Sequence, residues 1–398
     1  MSQSPLAIDG GTPVRTQTLP YGRQSIDEQD IQTVVTALKS DFLTTGPMVG
    51  EFEKALALAS GAKEAVALAN GTAALHTLIA CLDIGPGDEV IVPALTFAAT
   101  ANAVAFCGGT PVFAEVRPET LLLDPDDVAK KITKKTRAIM PVDFAGQPAD
   151  YDRLIPMARD AGVILLTDGC HALGGMFGEK PIGSVTHATA FSMHPVKTIT
   201  CGEGGAVATD DEKLAHRMRR FRHHGISKDH AERSLSGSWD YDMIELGYNY
   251  RLTDFQCALG LSQLGKLEGF TKKRQALAAR YDETLTDLEA VRPLEKVPGS
   301  SHAYHLYIIR LDLARLTVDR NQAFDALKAE GIGVNVHYRP VHLHPYYQKI
   351  WGTKAGDLPV TEQVFEQILT LPLFSSMKES DVDDVVEALR KVTRAYAR

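Results

Sequence analysis

The chain has 398 residues, 44% hydrophobic and 23% charged, the balance of a soluble globular protein with room for two or three domains. Its net charge of −8 argues against sequence-independent binding to nucleic acid or to an anionic membrane, since both need a basic footprint. Five scattered cysteines without a CxxC spacing suit reduced thiols, the N-terminal stretch lacks a secretory pattern, and no apolar run reaches the ~18 residues of a membrane span, so the expected location is the cytoplasm.

Residues 1–25 read as an irregular arm, with Gly10-Gly11-Thr12-Pro13 and Pro20-Tyr21-Gly22-Arg23. Helical patterns follow over 26–38 and 49–60. Seven short apolar segments come next, at 64–69, 89–92, 111–115, 138–143, 163–167, 188–193 and 205–209. They alternate with amphipathic stretches such as 72–82, 97–107 and 151–161. This alternation predicts a large domain over 26–253, built on a mostly parallel sheet with helices on both faces. Active sites of such sheets lie at the carboxyl ends of the strands, where Asn70, Asp168 and Ser192 fall. After residue 253 the pattern changes. Residues 253–285 read as one long helix or two, since Gly260, Gly265 and Gly269 interrupt them. A strand at 304–311, a helix at 321–331, a strand at 333–338 and helices at 361–369 and 381–397 complete a small α+β domain within 254–398.

Three residues carry the sharpest chemical signal. Asp168 closes an apolar run, and Lys197 follows Ser192 by five positions in a glycine-rich segment poor in charge. A carboxylate can hold a pyridine nitrogen protonated, a hydroxyl can hold a phosphate oxygen, and a lysine amine can form a Schiff base; pyridoxal phosphate needs all three. Each has a plainer reading: Asp168 as a helix cap or half of an ion pair, Lys197 as a solvated surface lysine. Asn70-Gly71-Thr72-Ala73 joins a strand to a helix, where glycine admits a ligand and free amides attract an anion, or where a tight turn simply caps the helix. It lacks GxGxxG and GK[ST], which disfavours dinucleotides and nucleoside triphosphates. Phe97 suits stacking on a planar ring or filling the core. The segment from Gly247 to Asp254 enters a helix capped by Thr253 or Asn249. The basic run 217–222, followed by His223 and His224, reads as a solvated helix face. His337, His342 and His344 lack the HExxH pattern, and no metal site is expected.

Together these motifs resemble the sugar aminotransferases of the DegT/DnrJ/StrS group, nearly end to end. The resemblance rests on Leu43-Thr44-Thr45-Gly46-Pro47, Asn70-Gly71-Thr72-Ala73-Ala74, Asp168-x-x-His171, Ser192-x4-Lys197 with Gly202-Glu203-Gly204-Gly205, Gly247-x-Asn249-Tyr250-Arg251, and His337-Tyr338-Arg339-Pro340-Val341-His342. It implies the aspartate-aminotransferase-like fold type I, with a seven-stranded sheet in the large domain, and pyridoxal phosphate as cofactor. It also implies roles. Lys197 would carry the cofactor, Asp168 pair with its ring nitrogen, and Thr72, Ala73 and Ser192 hold its phosphate. Phe97 would stack on the ring and His171 lie near its phenolic oxygen. Asn249 would reach the phosphate of the neighbouring subunit, so that a homodimer shares its active sites. Lys197 implies transamination, since members that dehydrate carry histidine there.

Within the group, stretches around Tyr21, Glu245 and Val336 look like transaminases of pseudaminic acid synthesis, which use L-glutamate and a UDP-linked 4-keto-6-deoxy sugar. Relatives aminate UDP-4-keto-arabinose or GDP-linked 4-keto sugars, and a regulator that keeps the pocket without turnover is the rival of another class. Arg23 and Arg251 are candidates for the donor carboxylate or the diphosphate. His337, Tyr338 and His344 are candidates for the sugar.

Overall fold

The computed structural model describes residues 5–227 and 239–398, so the first four residues of the expected arm and part of the large domain lie outside it. The large domain holds strands β1 (Glu64–Leu68), β2 (Glu89–Pro93), β3 (Thr110–Ala114), β4 (Thr136–Ile139), β5 (Ile164–Asp168), β8 (Ala188–Ser192) and β9 (Gly205–Thr209). They form one seven-stranded sheet in the order β1-β9-β8-β5-β4-β2-β3. Only β9 runs against its neighbours, pairing antiparallel with both β1 and β8.

Side chains alternate across these strands, and both faces are buried, which is why the strands read as continuous apolar runs. Val66, Leu68, Val90 and Val92 face a core completed by α3 (Gly71–Ala80), α4 (Ala99–Phe106) and α7 (Glu212–Phe221). Ala65, Ala67 and Ile91 face a second core closed by α2 (Pro47–Ser60), α6 (Tyr151–Ala161) and α8 (Asp254–Leu264). Thr253 caps α8 by accepting from the Gln256 amide. The long helical stretch is two helices: α8 ends at Gly265 and α9 (Leu267–Thr284) begins after Lys266. Two short hairpin strands, β6 (Met176–Phe177) and β7 (Lys180–Pro181), pair with each other, and β6 pairs on its other edge with β11 (Ser300–Ser301).

The small domain has a three-stranded antiparallel sheet, β10 (Val291–Pro293), β12 (Tyr307–Leu311) and β13 (Ile368–Leu371), in the order β10-β12-β13. It packs under α9, α10 (Arg320–Ala329) and α13 (Glu379–Ala395). The arm belongs to this core. Leu6 and Leu19 are buried in it, the Arg15 and Leu19 amides donate to the carbonyls of Glu330 and Gly331, and the buried Glu330 carboxylate accepts from the amides of Ala7 and Val14.

Two expectations fail here. Residues 333–338 are not a strand: Asn335 alone pairs, with Thr370, and its side chain accepts from the next amide. The alternation Val334, Val336 with Asn335, His337 serves a crossing segment that carries the chain to Ala94, whose carbonyl accepts from the Val341 amide at 2.8 Å. Residues 361–369 are not one helix either. The helix is Pro359–Phe365, and Ile368–Leu371 turns back as β13 beside β12. Its apolar run fits a fully buried strand, which periodicity alone does not separate from a helix end. Among the described residues no helix is long and apolar enough to cross a membrane.

Candidate active site

The reversed direction of β9 decides where Lys197 lies. A connection from β8 to an antiparallel neighbour stays at one edge of the sheet, whereas a parallel crossover would carry it to the other. Residues 193–204 therefore fold back over the carboxyl end. They are pinned by the Met193 amide to the Gly204 carbonyl (2.8 Å), Cys201 N–H to the Met193 carbonyl (3.0 Å), and Lys197 N–H to the His194 carbonyl (2.9 Å). The Lys197 amine thereby comes close enough to Asp168, the last residue of β5, to feel its charge.

Asp168 is buried, and both of its oxygens are engaged from the protein side. Oδ2 accepts from the Thr100 hydroxyl at 2.7 Å and Oδ1 from the Cys170 amide at 3.1 Å. Among the described residues no cation stands within 4.0 Å of it, so the ion-pair reading fails. A buried carboxylate with lone pairs to spare is the receptor that a ring N–H fits. Burial pushes the partly covered Lys197 amine down to about 8, against a smaller opposing pull from Cys170 and Asp168.

The corner expected to hold a phosphate forms where α3 meets β8. Asn70 caps α3, its Oδ1 accepting from the Ala73 amide at 2.8 Å, so the free amides of the first turn point past the strand end. The backbone approaches closely here. A Cβ on Gly71 would stand 2.9 Å from the Ser192 Cβ, and one on Gly205 would stand 2.1 Å from the Asn70 carbonyl. Thr72, Ala73 and Ser192 are thus brought to one corner.

Opposite them stands a wall of rings. His171 is buried, with Nε2 3.2 Å from the Tyr338 hydroxyl, and its ring lies 4.5 Å from that of His305. Phe97 is largely exposed and tilts toward Tyr338 at 5.7 Å. His337 is buried, bonds Thr370 through Nδ1 at 2.8 Å, and meets the Tyr21 ring at 5.3 Å. Burial first and the Lys197 charge second push His337 down to about 3. His305 stands 3.3 Å from the Lys197 amine and was no sequence candidate; its segment reads only as the start of a strand.

The remaining candidates lie apart from this cluster. Arg23 is exposed on the arm, next to Gly22, which approaches Val196. His344 lines a cleft of about 590 Å³ beside Ala98. Asn249 is exposed. Arg251 donates to His223 Nδ1 at 2.7 Å and lines a separate cavity of about 430 Å³ with Arg219, Arg222 and Ser227. The basic run is no solvated face: Arg219 pairs with Glu53 and Glu64, Arg217 with Asp83 and Glu245, and Arg222 with Glu53. The nearly buried Glu53 on α2 draws that side of α7 inward. His342 is buried against Glu362 at 2.9 Å.

Residues 24–390 match the model of the DegT/DnrJ/EryC1/StrS aminotransferase family. The spore coat polysaccharide biosynthesis protein SpsC of Bacillus subtilis is 42% identical over 96% of this chain and 98% of its own. The putative sugar aminotransferase Spr1654 of Streptococcus pneumoniae, solved in its pyridoxal phosphate form, superposes with a TM-score of 0.89 at 32% identity, covering 95% of this chain and 99% of that one. Helicobacter pylori PseC, an aminotransferase involved in the biosynthesis of pseudaminic acid, has a TM-score of 0.89 at 30% identity, covering 96% and 100%.

Proposed function

The chain belongs to the DegT/DnrJ/EryC1/StrS aminotransferase family, and on that premise we propose that it moves an amino group from L-glutamate to C4 of a nucleotide-linked 4-keto-6-deoxy sugar. It is a pyridoxal-phosphate-dependent sugar aminotransferase. The observation that carries the chemistry is the buried Asp168 carboxylate, held by Thr100 and the Cys170 amide and without a cation within 4.0 Å among the described residues, in the same site as the Lys197 amine.

The corner and wall fit the cofactor. Thr72, Ala73 and Ser192 would hold its phosphate, Asp168 its ring nitrogen, Phe97 one ring face, and His171 its phenolic oxygen, with Lys197 as the point of covalent attachment. Asn249 of the partner subunit would complete the phosphate site in a homodimer; its exposure in this chain supports that assignment. When bound, the cofactor supplies a carbonyl that exchanges amines and a ring that takes up the electron pair left by a departing Cα proton. Asp168 keeps the ring nitrogen protonated. Lys197, whose amine burial lowers to about 8, takes the Cα proton as general base and returns it one carbon along as general acid. The same residues act in the opposite order on the sugar.

Arg251 has no carboxylate partner among the described residues, which suits it to the donor carboxylate or the diphosphate; exposed Arg23 is the alternative. His337, Tyr338 and His344 are assigned to the sugar. The likeness to PseC supports UDP-2-acetamido-2,6-dideoxy-β-L-arabino-hex-4-ulose as acceptor. The higher identity to SpsC, a spore coat polysaccharide protein, favours a second reading in which another UDP- or GDP-linked 4-keto sugar is aminated. Offering purified enzyme glutamate and each sugar, with products identified by mass spectrometry and NMR, separates the two. Amination of the first sugar upholds the proposal, amination of only another upholds the second reading, and amination of none rejects both.

A further inference from the structure

We propose that His305 is a positioning residue for Lys197, its imidazole holding the lysine amine by a hydrogen bond through both of its proton movements. The inference rests on the reading of Lys197 as the proton-carrying lysine.

His305 Nε2 lies 3.3 Å from the Lys197 amine, and the ring is 4% exposed. Its Nδ1 has no hydrogen-bond partner among the described residues, so the ring's one polar contact with the described protein is to the lysine. Burial first, and the Lys197 charge second, hold this imidazole well below the usual histidine range, so it is neutral near pH 7. A neutral imidazole has one N–H and one lone pair. With its lone pair on Nε2 it accepts from the ammonium and equally from an N–H of the free amine, whose own lone pair stays available to take up a proton. Either state of Lys197 is therefore held without a change in the charge of the wall.

The fold fixes this ring through its backbone. Arg274 of α9 is buried, and its guanidinium donates to the carbonyls of Tyr304 (3.2 Å), His305 (3.3 Å) and Leu373 (2.9 Å). The Ala303 and Leu306 amides donate to the carbonyls of Gly146 and Ala145 in the large domain. Tyr304 adopts a φ of 51°, a left-handed conformation that costs a non-glycine residue energy. Gly146 has a φ of +99°, and a Cβ there would stand 2.9 Å from the His171 carbonyl and the Tyr304 amide. A buried guanidinium, a strained tyrosine and a close-approach glycine thus converge on the residue that touches the lysine.

The test uses His305→Phe, which keeps the volume and removes the nitrogens, and His305→Gln, which keeps a polar end. In the first half-reaction with glutamate, His305→Phe should lower the rate constant about tenfold or more. The glutamate KM and cofactor affinity should change less than threefold, and the isotope effect with α-deuterated glutamate should rise. In apo-enzyme, the pH midpoint for trapping Lys197 with pyridoxal and borohydride should shift, in a setting where Asp168, Cys170, His171 and His337 also face the amine. His305→Gln should recover at least a third of the lost rate. An unchanged half-reaction and apo midpoint in His305→Phe would overturn the inference, as would equal losses in both variants that track loss of cofactor. Active Lys197→Ala would instead overturn the reading on which it rests.

Discussion

Asp168 and Ser192 end adjacent strands of the large sheet, whereas His305, His337 and Tyr338 reach the same space on small-domain segments outside regular structure. The first set inherits its placement from a hydrogen-bonded ladder with both faces buried. The second depends on a few stitches between domains, the carbonyls of Ala145 and Gly146 and the Val341 amide on Ala94, and on the Arg274 guanidinium within the small domain. Strand ends therefore give a site its fixed chemistry. Loops give it an enclosure that one substitution can loosen.

Substitutions can separate these contributions. Lys197→Ala should have the largest effect, lowering turnover by about 10⁴-fold or more and removing the visible absorbance of bound cofactor, with the fold intact by circular dichroism. Asp168→Asn should fold and lose roughly 10²–10³ in rate, because a neutral amide no longer holds the ring-nitrogen proton. A near-normal rate would dissolve the strand-end half of the contrast.

Gly146→Ala strikes the stitches. It should destabilise by about 1–3 kcal/mol in thermal unfolding and slow the half-reaction several-fold through His305, while cofactor still binds. Unaltered stability would show that the joint tolerates displacement. The mildest effect concerns pH. Because burial lowers the Lys197 amine to about 8 from 10.5, trapping of this lysine in apo-enzyme should rise through pH 8. The folded state releases this proton before the unfolded chain does, so this group's contribution to apo-enzyme stability should increase with pH between those values. A trapping midpoint near 10.5 would mean the amine is solvated.

Legibility in the sequence follows the same divide. The strands of the large sheet are readable within about two residues at most ends, since runs such as Glu64–Leu68 and Gly205–Thr209 are apolar on both faces and bounded by turns. Strand β4 is the exception, ending at Ile139 although the apolar run continues to Val142. Asp168, Ser192 and Lys197 announce themselves because each sits within a few residues of such a run. His305 does not, because its placement depends on contacts with residues 145–146, far away in sequence. A local signal did exist in the crowded ring sequence His302-Ala303-Tyr304-His305 ahead of β12. Residues 333–338 and 361–369 depart from their pattern for one cause: they are small-domain segments short enough that tertiary pairing overrides it. The basic run on α7 was misjudged because its acidic partners, Glu53, Glu64 and Glu245, come from other elements.

The central claim is that Lys197 is the residue to which the cofactor is bound and through which protons move. Borohydride reduction of the holoenzyme, followed by digestion and peptide mass spectrometry, tests it most directly. The account predicts one phosphopyridoxyl group, on Lys197, and its loss when the enzyme is treated with glutamate before reduction. Modification of a different lysine, or none at all in enzyme that turns over, would contradict it.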